Sequence, residues 1–448
     1  MKQPRLPLGH SDPVSYTCTC VCSSTSPPIT GLVLLFYRYF SAPPALPFPL
    51  SPSPSLHSLH SLSNFHESLT SSLSLSGKIR VGKEGFNVTV GGTRDAIEAY
   101  IAACLVHWSF AGLDLSSEEA RKEFFKPSPG CACVFGGEGS ASVRIAAEIT
   151  PMGVTDYVPG DWGRVRRVRP GEFHEMLVGG EDGEGVERRK VLLDVRNHYE
   201  SRIGYFVDGE GREAVRPGIR RFAQWPGFVK RWVAEADENI EGEGREDGND
   251  EERRKWDGRK IMAYCTGGIR CEKATRWMLE KTQMKPGDEV YTLEGGIQAY
   301  LMWMEEEIQA GRKTAKDSLF KGKNFVFDAR GSLGLDGVHD GGGMEREPVA
   351  KCHICSNPED RLSKCRSKGC HLVLVVCEKC EEGDLRCCGS CAELDRASST
   401  EGPRPICLCE MEREARLWGE EYFKKGRLKG NKQGSREEGI KIEIKTIV

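Results

Sequence analysis

No stretch of this 448-residue chain is apolar for long enough to cross a membrane. The only strongly apolar early run, Leu32 to Phe36, falls far short of the roughly 20 residues a spanning helix needs, so no transmembrane helix and no membrane partner are expected. A dominant charge is missing too. There are 63 Lys and Arg against 66 Asp and Glu, a net charge of −3, and the pI is about 6.4. That balance excludes wholesale coating of nucleic acid or of an anionic membrane and confines any RNA contact to a local patch. Acidic residues are nearly absent from the first 30 positions, where Asp12 stands alone among Ser, Thr, Pro and Cys. Arginines are too few there for an organellar transit peptide, and residues 1–29 are expected to be a disordered tail. No flavin site and no two-histidine, one-carboxylate iron set is visible, so no organic cofactor is evident.

Cysteine, in contrast, is plentiful. Of 19 in the chain, eleven fall between Cys352 and Cys409, many as C-x-x-C pairs. Such spacing suits a metal better than a disulfide framework and points to a reducing intracellular compartment, with cytoplasm, plastid and mitochondrion all open. At about 100–200 residues per domain, the length calls for at least two cores.

Gly31 to Phe40 is short, apolar and aromatic, and reads as a buried strand. Residues 41–63 carry prolines too dense for helix or sheet and read as a disordered Pro/Ser-rich insertion. A helix over Phe65–Leu75, strands at Gly77–Val81 and Gly85–Val90, and a helix over Thr93–Val106 capped by Thr93 complete the order β-α-β-β-α. A further strand is expected at Ala132–Phe135 or Val143–Ile149. That order matches a ferredoxin-like α/β sandwich over residues 30–155.

A second unit over 170–315 alternates strands with helices: Val191–Val195, Lys260–Tyr264 and Val290–Leu293 are apolar runs, and Glu272–Lys281 and Ala299–Glu307 are helical. This is the pattern of a doubly wound parallel sheet, which takes ligands at the carboxyl ends of its strands. Residues 235–255, charged and Gly-rich, read as a solvated acidic loop in it.

One such strand end carries chemistry. Tyr264 is followed by Cys265, Thr266, Gly267, Gly268, Ile269, Arg270 and Cys271, and then by the helix from Glu272. Glycines let consecutive N–H groups turn inward as an anion-binding nest, and the helix start adds partial positive charge. A thiolate placed there has a lowered pKa and becomes nucleophilic. Arg270 can offer a fork of hydrogen bonds to an oxyanion or persulfide. Cys271 fits either a resolving thiol for Cys265 or a packed helix residue.

The Cys265–Arg270 loop resembles that of rhodanese-like sulfurtransferases. Asp194-Val195-Arg196-Asn197 with Tyr199, Glu200 and Ile203-Gly204, and Leu293-Glu294-Gly295-Gly296-Ile297, resemble the flanking signatures of the same domain. The related cell-cycle phosphatases carry a longer loop, which disfavours phosphatase activity. Further segments resemble the branch of tRNA wobble-uridine hydroxylases: Gly77–Val81, Glu84–Asn87, Thr89–Thr93, Arg216-Pro217 with Phe222 and Trp225-Pro226, and Lys321–Asp328. Ala329 and Asn324 depart from that pattern, as do the extra segments 41–63 and 235–255. The resemblance implies an enzyme that hydroxylates a tRNA uridine in an oxygen-dependent reaction, with Cys265 catalytic, Thr266 to Arg270 as the anion cradle, and Asp194, Arg196 and Cys271 in support. Two other readings stand: a thiosulfate or persulfide sulfurtransferase acting on a small sulfur donor and acceptor, and a non-enzymatic regulatory or RNA-binding module.

Residues 320–345 read as a linker. Beyond it, Cys352, Cys355, Cys365, Cys370, Cys377, Cys380, Cys388 and Cys391 supply eight thiolates for two structural zinc sites in a cysteine-rich region over 350–410. Cys387 is an alternate to Cys388, His353 and His371 are further alternates, and Cys407 and Cys409 are expected to fall outside. Residues 411–448 form a charged tail.

Overall fold

The computed structural model describes residues 31–46, 55–136, 141–179, 189–242, 258–285, 287–328, 330–335, 347–370, 372–396 and 407–418, with side chains described to 234 and to 415 in the helices ending at 242 and 418. The expected tail 1–29, His371, Ala329, most of the acidic loop and nearly all of the charged tail lie outside that description. No helix among the described residues is long and apolar enough to cross a membrane.

The first sheet is built from β1 (Leu32–Tyr39), β2 (Ser76–Gly82), β3 (Gly85–Gly92), β4 (Ser128–Pro129) and β5 (Ser142–Ile145), in the order β4-β1-β3-β2-β5. β3 runs antiparallel to β1 and β2, β4 antiparallel to β1, and β5 parallel to β2. Helices α1 (Leu56–Ser72), α2 (Arg94–Leu105) and α3 (Glu118–Phe125) accompany it. Alternation sorts the strand faces. Leu34, Phe36 and Phe40 enter a core with Phe86, Tyr100, Phe110 and Phe125, while Leu35 and Tyr37 are only partly buried on the opposite face. Thr93 caps α2 as expected, accepting the Ala96 N–H at 3.3 Å.

One expectation fails here. α1 starts at Leu56, inside the stretch read as a disordered insertion, with Ser55 accepting the Ser58 N–H as its cap. The prolines stop at Pro54, and Leu59 and Leu62 then recur on one face and are buried, so packing stabilises a helix that Ser-rich composition disfavours. Of the two places offered for a further strand, Val143–Ile149 holds, as β5, and Ala132–Phe135 is a helical turn.

The second sheet is wholly parallel, in the order β6 (Val165–Val168), β10 (Glu289–Leu293), β9 (Arg259–Tyr264), β7 (Arg189–Asp194). Its first strand begins before the expected boundary at 170. α4 (Pro170–Val178) and α8 (Gly296–Gln309) bury Phe173, Leu177, Tyr300 and Met304 against Met262 and Tyr264 on one face. α6 (Trp225–Gly242) and α7 (Ile269–Lys281) bury Trp225, Val229, Ala274 and Met278 against Ile261 and Ala263 on the other. Helices on both faces explain why β9 is apolar at every position from Ile261 to Tyr264. Between β7 and α6 lie α5 (His198–Arg202) and β8 (Gly204–Phe206).

The stretch read as a linker is structured at its start. β11 (Phe320–Gly322) pairs with β8, and β12 (Asn324–Phe325) pairs with β13 (Ser332–Leu333). Arg330 forks onto Asp328 and reaches Ser128 and the Pro129 carbonyl of the first sheet. The cysteine-rich end holds a small hairpin, β14 (Leu362–Lys364) with β15 (Val373–Val375), and helices α9 (Glu378–Glu381), α10 (Gly389–Arg396) and α11 (Leu408–Trp418). Arg220 joins this end to the central unit by donating to the Cys370 carbonyl and pairing with Glu410 at 3.5 Å.

Candidate active site

β9 delivers Cys265 to the carboxyl end of the sheet, where the chain turns through Thr266, Gly267 and Gly268 into α7. The thiol is wholly buried, and its sulfur accepts the Gly268 N–H at 3.1 Å. Burial alone would raise its pKa. The hydrogen bond from Cys271, the positive charge of Arg270 and the N–H groups of Cys271 and Arg270 outweigh burial and pull it down to about 5. At neutral pH Cys265 is therefore a thiolate. Burial and the neighbouring Cys265 charge push Cys271 the other way, well above the ordinary thiol range, so Cys271 stays protonated as a donor to its neighbour.

Arg270 does not reach out of the loop. Its two guanidinium nitrogens grip the Glu200 carboxylate at 2.7 and 2.6 Å, and one also donates to the Thr266 hydroxyl at 3.0 Å. Glu200 is fully buried and is also held by the Asn197 amide group at 2.8 Å. The fork fixes the arginine so that its charge acts on Cys265 through space rather than through a substrate contact. Asp194 and Arg196 form a separate buried pair, 2.7 Å apart, with Arg196 also donating to the Gly204 carbonyl at 2.6 Å. Val195 N–H bonds the Tyr264 carbonyl at 2.9 Å. The Asp194–Arg196 pair thus holds the strand ends that position the loop and does not touch the thiolate.

Two glycines permit the close approach of α8. Ile297 and Gln298 donate their N–H groups to the Cys265 and Thr266 carbonyls at 2.9 and 3.0 Å. A Cβ on Gly296, whose φ is +67°, would sit 2.5 Å from the Cys265 carbonyl and 2.7 Å from the Gly268 nitrogen. A Cβ on Gly268, at φ +96°, would sit 2.7 Å from the Tyr37 hydroxyl. Only glycine fits either place.

The Tyr37 contact reveals that the first sheet covers the loop. The outward row of β1 supplies Leu35 against Gly267, Tyr37 against Gly268, and the Tyr39 hydroxyl, which donates to the Ile269 carbonyl at 3.2 Å. Lys126, just before β4, is left-handed at φ +46° and 4 % exposed. Its Nζ lies 5.5 Å from the Tyr37 ring centre, and its carbonyl accepts from Gln298 at 2.9 Å. Burial lowers its pKa to about 8 against the opposing pull of Glu294 and Cys265. Lys273, one turn into α7 and fully buried, clamps the two units together through Glu84 and Glu148, both at 2.9 Å.

Residues 32–128 match the model of the UPF0176 acylphosphatase like domain, and residues 321–392 match that of the Rhodanase C-terminal domain. The chain is 32% identical over 364 residues to Rhodanese-like domain-containing protein 6 of Arabidopsis thaliana, covering 80% of this chain but 52% of that protein, so it spans about half the length of that relative. It is 30% identical over 332 residues to the tRNA uridine(34) hydroxylase of Staphylococcus haemolyticus, covering 74% of this chain and 83% of that one. The enzyme of the same name from Chlamydia trachomatis serovar D is 27% identical over 345 residues, covering 76% and 85%. The chain belongs to the tRNA uridine(34) hydroxylase family.

Within this family member the sequence reading located the loop but missed Glu200 as the partner of Arg270, and missed Tyr37 and Lys126 altogether. Glu200 had a signal, since it lies in the segment after Asp194. Tyr37 and Lys126 had none, because only the packing of one sheet on another brings them to Cys265.

The cysteines of the tail gather into three groups whose sulfurs lie within 4.8 Å of one another: Cys352, Cys355, Cys377 and Cys380; Cys365, Cys370, Cys387 and Cys391; and Cys387, Cys388, Cys407 and Cys409. The grouping chooses between the alternates Cys387 and Cys388 and corrects the expectation for Cys407 and Cys409. Cys387, not Cys388, joins Cys365, Cys370 and Cys391, while Cys388 turns to Cys407 and Cys409, which do not fall outside. Cys387 is common to the second and third groups, whereas Cys388 meets only the third. Each group is able to hold a metal ion.

Proposed function

We propose that this chain hydroxylates uridine 34 of tRNA through a rhodanese-like loop in which the Cys265 thiolate is the nucleophile. Family membership supports the reaction, and the observation that carries the residue is the buried thiolate at about 5 in a nest of amide N–H groups. In this reading Cys265 attacks the substrate, the N–H groups of Gly268, Arg270 and Cys271 balance negative charge on sulfur, and the Cys271 hydrogen bond, together with the charge of Arg270 held by Glu200, lowers the thiolate's pKa. The Lys126 ammonium and the Tyr37 hydroxyl, closing the site from the first sheet, are the proton donors. Hydroxylation replaces a C–H bond of the base by C–OH, a two-electron oxidation; molecular oxygen is the oxidant, its second oxygen atom leaves as water at the expense of an external two-electron donor, and Cys265 departs as the thiolate when the ring double bond re-forms.

The strand order of the first sheet, with α1 and α2 as its crossovers, supports reading it as a ferredoxin-like sandwich that presents RNA to the loop. Its open face carries exposed Lys78, Arg80 and Arg144. Arg80 is paired with Asn87 and Arg144, and Asn87 with Tyr37, so a basic row leads across the sheet to the tyrosine that touches the loop. A local patch of this kind suits phosphate contacts on a chain of near-zero net charge. In the tail, zinc is the ion that four thiolates at these separations fit best, and we read it as structural, holding a unit whose apolar core is small.

The test is mass spectrometry of tRNA nucleosides from cells lacking this protein, complemented with wild type or Cys265→Ala. The reading requires that a hydroxylated uridine disappears and that only wild type restores it; restoration by the variant would remove Cys265 from the chemistry. The Cys271 thiol beside the Cys265 thiolate also favours a second reading, sulfur transfer through a Cys265 persulfide, which predicts turnover of thiosulfate with tRNA uridines unchanged.

A further inference from the structure

We propose that the C-terminal unit binds three metal ions on eleven thiolates, the second and third ions bridged by the sulfur of Cys387. This rests on reading the cysteine groups as metal sites and adds a binuclear centre to it. Bonds of about 2.3 Å in a tetrahedral zinc site place its sulfurs about 3.8 Å apart. The Cys387 sulfur lies 3.6 Å from that of Cys370, 3.3 Å from Cys391, 3.9 Å from Cys388, 3.6 Å from Cys407 and 3.4 Å from Cys409. A disulfide would require about 2.05 Å, and one sulfur can enter only one disulfide. Here one sulfur approaches five others.

The partition of those neighbours decides between a crowded thiol core and a bridge. Cys365, Cys370 and Cys391 complete one set of four with Cys387, and Cys388, Cys407 and Cys409 complete another. Among the described residues no other cysteine belongs to two groups. A thiolate bound to one ion keeps lone pairs for a second, so a single shared sulfur serves two complete tetrahedra. The Cys387 N–H donates to the Cys365 sulfur at 3.4 Å, and the Cys377 N–H donates to the Cys352 sulfur at 3.4 Å. The first group, which shares no ligand, and the second thus use the same amide-to-sulfur bond, of the kind that orients metal-bound thiolates. Each thiol gives its proton to solvent as it binds, and no redox step is involved.

The third ion has a structural role. Cys407 and Cys409 lie at the start of α11, which also meets the central unit through Glu410 with Arg220 and through the Ala415 carbonyl, which accepts from Arg231 at 3.4 Å. The bridge therefore fastens α11 to the fold at its first turn.

The test is metal content of the full chain purified with zinc, measured by elemental mass spectrometry. Wild type is expected to hold about three ions per chain, one for each group, and Cys409→Ser about two. Cadmium-113 NMR of the exchanged protein should show two resonances coupled to each other through Cys387 and a third uncoupled. A wild type with two ions, a Cys409→Ser variant that keeps three, or the absence of cadmium–cadmium coupling overturns the bridge while leaving the separate zinc sites intact. A chain that binds no metal overturns both.

Discussion

Cys265 and Lys126 set opposite limits on the pH at which this site works. The thiolate forms as pH rises through about 5, and the lysine loses its proton as pH rises through about 8. A reaction needing thiolate and ammonium together rises through the first value and falls through the second, giving a bell-shaped rate profile. Lys126→Arg keeps a charge that neither titrates nor gives up its proton, so it should remove the alkaline limb and lower the plateau rate while sparing the acid limb. Lys126→Met should cost on the order of 10²-fold in rate. Arg270→Lys loses the two-pronged hold on Glu200, and its mobile charge stabilises sulfur less. The acid limb should then move upward, which thiolate ultraviolet absorbance against Cys265→Ala would read directly. An unchanged limb would mean that the Cys271 hydrogen bond and the N–H groups hold the thiolate without the arginine.

Among the elements, α7 is the one most exposed to single changes, because it carries both the loop and the clamp to the first sheet. Lys273→Met leaves Glu84 and Glu148 buried without their cation, and a stranded buried charge costs about 3–5 kcal/mol. The expected result is a fall of that size in unfolding free energy by denaturant titration. The turn before α8 is equally intolerant. Gly296→Ala drives a methyl into the Cys265 carbonyl and the Gly268 nitrogen at positive φ, so loop and helix must separate. Activity should be lost with little change in helix content by circular dichroism, since the clash is local. The helix α1 teaches the converse about composition: Ser and Pro around it read as disorder, yet Leu59 and Leu62 had a core waiting for them.

For the molecule as a whole, the basic row on the first sheet predicts how tRNA is held. Arg80→Ala with Arg144→Ala should weaken tRNA binding at low salt and flatten the salt dependence by about one to two in log–log slope, since each phosphate contact contributes nearly one. Unchanged affinity would place the RNA elsewhere. The sequence by itself determined the parallel α/β unit, the loop from Cys265 to Arg270 and the wealth of metal-ligating thiols, because these are written in local spacing: apolar runs two faces deep, glycines beside a cysteine, C-x-x-C turns. Tertiary structure alone decided that Arg270 faces Glu200, that Tyr37 lies against Gly268 of the loop with Lys126 beside its ring, and that Cys387 belongs to two cysteine groups. Those contacts join residues far apart in the chain, and which side chains meet there depends on how one sheet or helix packs against the next, a relation that linear order does not contain.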